Sequence, residues 1–293
     1  MWRYAIPKLL ALVMCSSCAD VAPDHGTSAS DSHVVEACKE WISSRADLDE
    51  GDKQDSFITK KSAACIDGEI DQEMQVRLNS WINTIPAGTR PILVIRSGGG
   101  DAYAAIDIAE ALQAKDAEVY AFDICASSCA NYIFSGVRRR HAIGSPALLF
   151  HGGLSKDFPQ EVESEFDSFL STPEGKSVEN PTLVKNSLVE KAQEYQKRQE
   201  KLLAAAGVDP IIIHGFDKFE LQDLGPENCT AEESAEIEYA FFFSEDMVTR
   251  LGIMPVSGKL EYRSGTINQK LNRSNQLSKA CAAPKEFFST TSL

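Results

Sequence analysis

From about Phe57 to Met254 the chain alternates between short apolar runs and longer segments with apolar residues at helical spacing. The apolar runs predict buried strands near residues 92–96, 118–124 and 146–151. The segment DAYAAIDIAEALQA, residues 101–114, lies between the first two strands and has the period of a helix. Strands that alternate with helices are typical of a mainly parallel sheet built through crossover connections. The sequence therefore predicts an α/β fold.

In such a sheet the loops that follow the strands lie along one edge. The first predicted strand runs into RSGGGD (Arg96 to Asp101), the second into ASS and the third into HGG. The three glycines can expose backbone N–H groups to an anion at a helix start, although a tight turn also explains them. Their spacing matches neither a P-loop nor a dinucleotide-binding motif, so we do not predict nucleotide binding.

Two adjacent serines, Ser127 and Ser128, stand between the second strand and a short helix predicted from SCANYIFSG. A serine at this point is a good helix N-cap, and the residues alone favour that interpretation. A nucleophilic serine also occurs in strand-turn-helix loops, where the first helical amides stabilise developing negative charge. His151 ends the third strand and is the candidate base for such a serine.

As a set, SGGG, ASS before a helix closed by Gly136, and FHGG resemble the motifs of ClpP-type serine peptidases in the ClpP/crotonase superfamily. The resemblance is to the exported ClpP-like proteins of bacteria, and it covers about two-thirds of the chain. If Gly136 matches the glycine that closes the nucleophile helix in the family, Ser127 falls on the family's nucleophile. A nucleophilic Ser128 requires a deletion of one residue before Gly136.

The resemblance implies a ClpP/crotonase-like twisted, mainly parallel sheet that carries a serine peptidase site. Ser127 would be the nucleophile, His151 the general base and Asp217 the residue that orients the histidine. The N–H groups of Gly99 and Ser128 would form the oxyanion hole. The substrate would be a peptide or protein, and no metal or cofactor is required.

The chain departs from the family pattern in several places. Phe216 occupies the family's aspartate position, so Asp217 is one residue out of register and Asp209 is also near. No Walker motif or ATPase docking sequence is evident, so we expect cleavage to be ATP-independent. A Ser/Lys dyad with Lys156 or Lys185 as base is an alternative within enzymes. In another class, the chain keeps the fold without the chemistry and acts as a binding or scaffold protein of the cell envelope.

The segment NSLVEKAQEYQKRQEKLLAAAG places Leu188, Ala192, Tyr195, Leu202 and Ala206 on one helical face. It resembles the handle helix that mediates ring packing in the family. A homo-oligomer formed through residues 186–206 is the implied assembly, and the chain's own sheet is the other surface that could cover this face. The longer segment between His151 and this helix could cover or reshape the substrate groove.

The net charge limits the possible partners, and the N-terminus indicates the compartment. A net charge of −14 at pH 7 argues against a nucleic-acid partner or an anionic membrane surface. Basic residues, an apolar run and small residues predict a signal peptide at residues 1–19, hence export to the periplasm or secretion. A lipoprotein acylated on Cys15 or Cys18 is the alternative.

The remaining chain is divided by its composition. We expect an N-terminal arm at residues 20–52, a ClpP-like domain at 53–258 and a loosely packed C-terminal tail at 259–293. Eight cysteines occur in the sequence, and the six beyond the signal peptide predict at least one disulfide in an oxidising compartment. Their pairing stays open, and Cys125 and Cys129 could equally be small buried side chains.

Overall fold

The computed structural model describes residues 29–45, 56–218, 239–273, 279–284 and 287. Its centre is a five-stranded sheet with strands in the order β1-β2-β3-β4-β5. The strands are β1 Phe57–Lys60, β2 Ala63–Asp67, β3 Ile92–Ser97, β4 Glu118–Ala126 and β5 Arg139–Leu149. β1 and β2 are antiparallel, whereas β2, β3, β4 and β5 pair in parallel. The predicted α/β fold with a mostly parallel sheet is confirmed.

Aspartates fix the starts of the two helices that follow β2 and β3. The carboxylate of Asp71 accepts the N–H of Met74 (2.7 Å), and that of Asp101 accepts the N–H of Ala104 (2.8 Å), which are N-cap contacts. The helices are α1 Ala29–Ser43, α2 Gln72–Thr84, α3 Ala102–Ala114, α4 Phe158–Leu170, α5 Pro181–Ala205, α6 Ile211–His214, α7 Glu245–Arg250 and α8 Ser264–Arg273. A π-helix spans Cys129–Phe134, and 3-10 turns span Gly175–Ser177 and Gly215–Lys218.

Apolar side chains cover both faces of the sheet. Successive residues of a strand point to opposite faces, so Ile66 and Ile95 join the large core under α2 and α3, while Cys65 and Val94 face α1. Buried strands of this kind read as continuous apolar runs, which is why the sequence located them. A disulfide between Cys38 and Cys65 ties α1 to β2.

The third of the predicted strands, which is β5 in the structure, begins earlier than the sequence indicates. Its predicted start was near residue 146, but β5 runs from Arg139. The first residues of β5 are polar, so the sequence does not show that Arg140 is buried. Its guanidinium donates hydrogen bonds to the carbonyls of Ser135 (3.3 Å) and Ala206 (2.9 Å). Burial lowers the pKa of Arg140 to about 10.

The C-terminal segment differs from the loosely packed tail that we expected. Within it, α8 buries Ile267 and Leu271, and β7 (Lys279–Ala282) pairs in parallel with β6 (Tyr239–Phe242). The amine of Lys270 donates to the carbonyls of Asp123 (3.2 Å) and Ser145 (3.0 Å). Only a few apolar residues anchor α8, so its amphipathic period is hard to see in the sequence.

The apolar face of α5 packs within the chain along its C-terminal part. Ala192 and Leu202 are fully buried, and the hydroxyl of Tyr195 donates to the carboxylate of Asp107 in α3 (2.9 Å). Leu188, nearer the start of the helix, is 38% exposed. Most of the face therefore needs no second subunit to cover it.

None of the helices in the described part of the chain has both the length and the hydropathy needed to span a bilayer. The predicted signal peptide, with Cys15 and Cys18, lies outside the described residues.

Candidate active site

Two adjacent strands bring Ser127 and His151 to the same edge of the sheet. β4 and β5 pair in parallel with Ala126 opposite Leu149. The N–H of Ser127 donates to the carbonyl of Leu149 (2.9 Å), which extends the pairing by one residue. His151 follows Leu149 by two positions, and neighbouring strands lie about 4.8 Å apart. The serine and histidine loops are therefore neighbours.

Ser127 has an unusual backbone conformation for a residue with a side chain. Its φ is +54°, in the left-handed region. A non-glycine residue held there costs about 1–3 kcal/mol, and such residues concentrate at functional sites. The turn places a half-buried serine between the end of a strand and the start of a helix, which is the local geometry of nucleophile loops.

Neither serine hydroxyl caps the helix. The N-cap position of the π-helix is Ser128, and its side chain makes no capping hydrogen bond. The Ser128 hydroxyl is buried without a hydrogen-bond partner in the described structure, and within the same residues no hydrogen bond is formed by the Ser127 hydroxyl. The capping interpretation favoured by the sequence therefore has no support in these contacts.

Gly99, on the loop after β3, lies directly against Ser127. A Cβ built on Gly99 would be 2.5 Å from the Ser127 Cβ and 3.0 Å from its Oγ. Gly99 also has a φ of +106°, which favours glycine. The glycine loop and the serine turn are thus in contact, and only glycine fits between them.

The N–H of Gly99 is engaged inside its own loop. It donates to the hydroxyl oxygen of Ser97 (3.0 Å), and the Gly99 carbonyl accepts the N–H of Ile70 (2.8 Å). The predicted oxyanion donor therefore already has an acceptor. Ser128 is the N-cap residue of the π-helix, where N–H groups have no acceptor within the helix.

His151 is exposed, and no hydrogen bond joins its ring to Ser127 in the described structure. The loop that carries it is held by Asn131, whose Nδ2 donates to the carbonyl of Gly152. The N–H of Asn131 also donates to the carbonyl of Ser127 (2.8 Å). Asn131 therefore links the serine turn to the histidine loop, and it is 1% exposed.

The turn that contains Asp217 lies beside the histidine loop. A Cβ on Gly152 would be 3.5 Å from the carbonyl oxygen of Ile213 and 3.7 Å from the Cβ of Phe216. Asp217 follows Phe216 in the 3-10 turn Gly215–Lys218. Its side chain lies outside the described residues.

Other candidate groups are engaged elsewhere. The carboxylate of Asp209 accepts the N–H of Ile211 (3.0 Å) at the start of α6. The amine of Lys185 is 3.2 Å from carboxylate oxygens of Asp167 and Glu163 on α4. Hydrogen bonds to Asp167 and then Glu163 raise the pKa of Lys185, which makes this amine a poor general base.

The segment after the histidine loop is anchored in the core by two polar side chains that the sequence did not single out. The N–H of Leu154 donates to Tyr132 Oη (3.2 Å) and to Gln199 Oε1 (3.1 Å). The Tyr132 hydroxyl also donates to Gln199 (2.9 Å), and burial raises the pKa of this phenol. Beyond it, Phe158 at the start of α4 packs against Tyr103 with ring centroids 6.2 Å apart. The last contact places the first residue of α4 near the first turn of α3, which follows the glycine loop.

A disulfide encloses the serine pair. Cys125 and Cys129 are bonded, with Cα atoms 5.3 Å apart, and both residues are fully buried. Together with Cys38–Cys65, this bond confirms the predicted disulfides, and Cys281 is also disulfide-bonded. Cys229 lies outside the described residues.

Among the described side chains, no group of three or more His, Cys, Asp or Glu could hold a metal ion. No protein-family model matches this sequence, and no curated protein matches it. The resemblance to the ClpP/crotonase superfamily therefore stays a prediction from the sequence.

Proposed function

We propose that the chain is an exported serine peptidase-like hydrolase that cleaves peptide bonds through an acyl-enzyme on Ser127, without ATP. The observation that carries this proposal is the Ser127 turn: a left-handed, half-buried serine between strand and helix whose hydroxyl is not used as a cap. Gly99 lies against this serine, and His151 follows the end of the neighbouring strand, β5. The disulfides support an oxidising, exported environment.

These positions support a proposal of acyl transfer. The Ser127 oxygen attacks the carbonyl carbon of a peptide while His151 takes the hydroxyl proton. The tetrahedral intermediate collapses, the C–N bond breaks and His151 gives the proton to the leaving amine. Water, deprotonated by the same imidazole, then attacks the ester carbonyl. The bond from that carbon to the Ser127 oxygen breaks, His151 returns the proton to this oxygen, and the carboxylic acid leaves. Asp217 is the proposed orienting residue, because its turn adjoins the histidine loop.

The oxyanion needs donors aimed at the developing charge. The N–H of Ser128, at the start of the π-helix, is one proposed donor. The N–H of Gly99 is the other, and it has to exchange the Ser97 hydroxyl for the oxyanion. A rotation of the Ser97 side chain would release this N–H, because the hydroxyl oxygen is its acceptor. The Ser127–His151 hydrogen bond forms in the same step, since such contacts often tighten only when substrate binds.

Hydrolysis of a proteome-derived peptide library, read by mass spectrometry, tests the proposal. Wild-type protein in its oxidised form should produce new peptide ends, and Ser127→Ala should abolish them, because loss of a nucleophile costs several orders of magnitude in rate. Ser128→Ala is the matched control, since it leaves the backbone donor in place. Equal cleavage by wild type and Ser127→Ala would contradict the assignment.

Two observations favour a second candidate, a binding or scaffold protein with an inactive site. The Gly99 N–H is already bonded to Ser97, and within the described residues His151 makes no hydrogen bond to Ser127. In that case Ser127→Ala would leave the protein's behaviour unchanged. We also propose a homo-oligomer formed through residues 186–206, where Leu188 is 38% exposed. Sedimentation that shows only monomer at micromolar concentration would contradict it.

A further inference from the structure

The Cys125–Cys129 disulfide lies directly across the turn that contains Ser127. Cys125 is the second-last residue of β4, and Cys129 is the first residue of the π-helix. The bond therefore joins the strand directly to the helix and encloses Ala126, Ser127 and Ser128. It fixes the two ends of the turn that sets the direction of the Ser127 side chain.

Few backbone hydrogen bonds hold this turn in the described part of the chain. The N–H of Ser127 donates to Leu149, and its carbonyl accepts the N–H of Asn131. No side-chain cap holds the helix start, and the π-helix has only six residues, too few to be stable alone. A left-handed serine persists only where its surroundings over-determine it. The disulfide is the covalent part of those surroundings.

We infer that the Cys125–Cys129 disulfide is a positioning device for Ser127, and that the serine reacts at its full rate only while this bond is oxidised. The inference rests on the proposed function and deepens it. A dithiol reductant would transfer two electrons and two protons to the bond, giving two cysteine thiols and the reductant's own disulfide. The freed turn would relax toward negative φ, which moves the Ser127 hydroxyl away from Gly99.

The second described disulfide provides a matched control. Cys38–Cys65 is equally buried, but it joins α1 to β2, two strands away from β4 in the sheet. Its loss removes a covalent bond of the same kind without touching the serine turn. A general effect of disulfide loss would therefore appear in both double variants, whereas a positioning effect would appear in one.

The test compares the oxidised full chain with Cys125→Ala/Cys129→Ala and Cys38→Ala/Cys65→Ala. The measured quantity is the rate at which a fluorophosphonate labels Ser127, divided by the folded fraction from circular dichroism. We expect the first variant to lose about tenfold or more, as release of a strained turn implies, and the second to stay close to wild type. Equal rates in wild type and Cys125→Ala/Cys129→Ala would overturn the inference.

Hydrogen exchange of the segment 126–131 separates this inference from the proposed function. If the wild type is not labelled, the proposed function fails, but the positioning role still predicts faster exchange in Cys125→Ala/Cys129→Ala than in the control variant. Unchanged exchange there would overturn it. If that variant does not fold, wild type treated with graded dithiothreitol replaces it. The labelling rate should then fall in step with alkylation of Cys125 and Cys129, and a rate that keeps its oxidised value after their reduction contradicts the role.

Discussion

Gly99 and Ser127 approach so closely that no side chain fits between them: a Cβ on Gly99 would lie 2.5 Å from the Cβ of Ser127. The two residues follow neighbouring parallel strands, so the contact joins two loops at one edge of the sheet. The contact also restricts the Ser127 side chain on one side. The glycine loop is therefore part of what positions the serine.

The first prediction concerns this contact. Gly99→Ala should displace the serine turn and lower its fluorophosphonate labelling rate by about tenfold or more, because the added methyl collides with the Ser127 side chain. Gly88→Ala is the matched control: Gly88 also has a positive φ, but a Cβ there meets nothing within 4 Å. Both variants should lose some stability from backbone strain, and only Gly99→Ala should lose labelling. A similar loss in both would mean that strain alone, not the contact, is responsible.

The second prediction concerns the oxyanion donor. Ser97→Ala removes the acceptor that occupies the Gly99 N–H, so the labelling rate should be unchanged or higher. The buried N–H loses its partner in the resting state, which should lower the free energy of unfolding by about 1–3 kcal/mol. Urea denaturation and labelling kinetics on the same samples measure both effects. A fall in labelling with unchanged stability would assign Ser97 a direct part in the chemistry.

The third prediction concerns Asn131, which links the two loops. Asn131→Ala removes the donor to the Gly152 carbonyl and should slow Ser127 labelling by about tenfold, because the histidine loop loses its anchor. Asn131→Asp keeps the shape but brings a carboxylate toward the same carbonyl, so it should be no better than alanine. Retention of wild-type labelling by Asn131→Asp would show that the hydrogen bond does not position the loop.

The sequence was informative where a single segment carries the signal. Apolar runs located β3 and β4. The loop motifs that follow the strands predicted that Gly99, Ser127 and His151 lie at one edge of the sheet, which is where the parallel pairing places them. Asn131 was missed because it does not disturb the apolar pattern of its helix, and its partner Gly152 is 21 residues away.

Other features depend on contacts between distant segments, which periodicity does not report. The hydrogen bond from the Gly99 N–H to Ser97 is set by the folded loop rather than by residue type. The Cys125–Cys129 pairing was one of many open choices in the sequence, because only the fold brings a particular pair of cysteines together.

The fourth prediction contrasts stability with function. In the chain-entropy description, Cys38–Cys65, with a separation of 27, should contribute about 3.5 kcal/mol to stability, and Cys125–Cys129, with a separation of 4, about 2 kcal/mol. In urea unfolding, Cys38→Ala/Cys65→Ala should therefore lose more stability than Cys125→Ala/Cys129→Ala. In labelling of Ser127, Cys125→Ala/Cys129→Ala should lose more rate. If the less stable variant is also the less reactive one, loss of global stability explains both effects.

Labelling of the oxidised full-length chain by a fluorophosphonate, mapped by mass spectrometry, tests the central claim most directly. A nucleophilic Ser127 should carry one adduct per chain, which is absent from Ser127→Ala, retained in Ser128→Ala and slowed by several orders of magnitude in His151→Ala. The Ser128 hydroxyl is buried, so its removal should not prevent the reaction. A folded wild-type protein that takes up no probe, or an adduct that survives in Ser127→Ala, would contradict a catalytic Ser127.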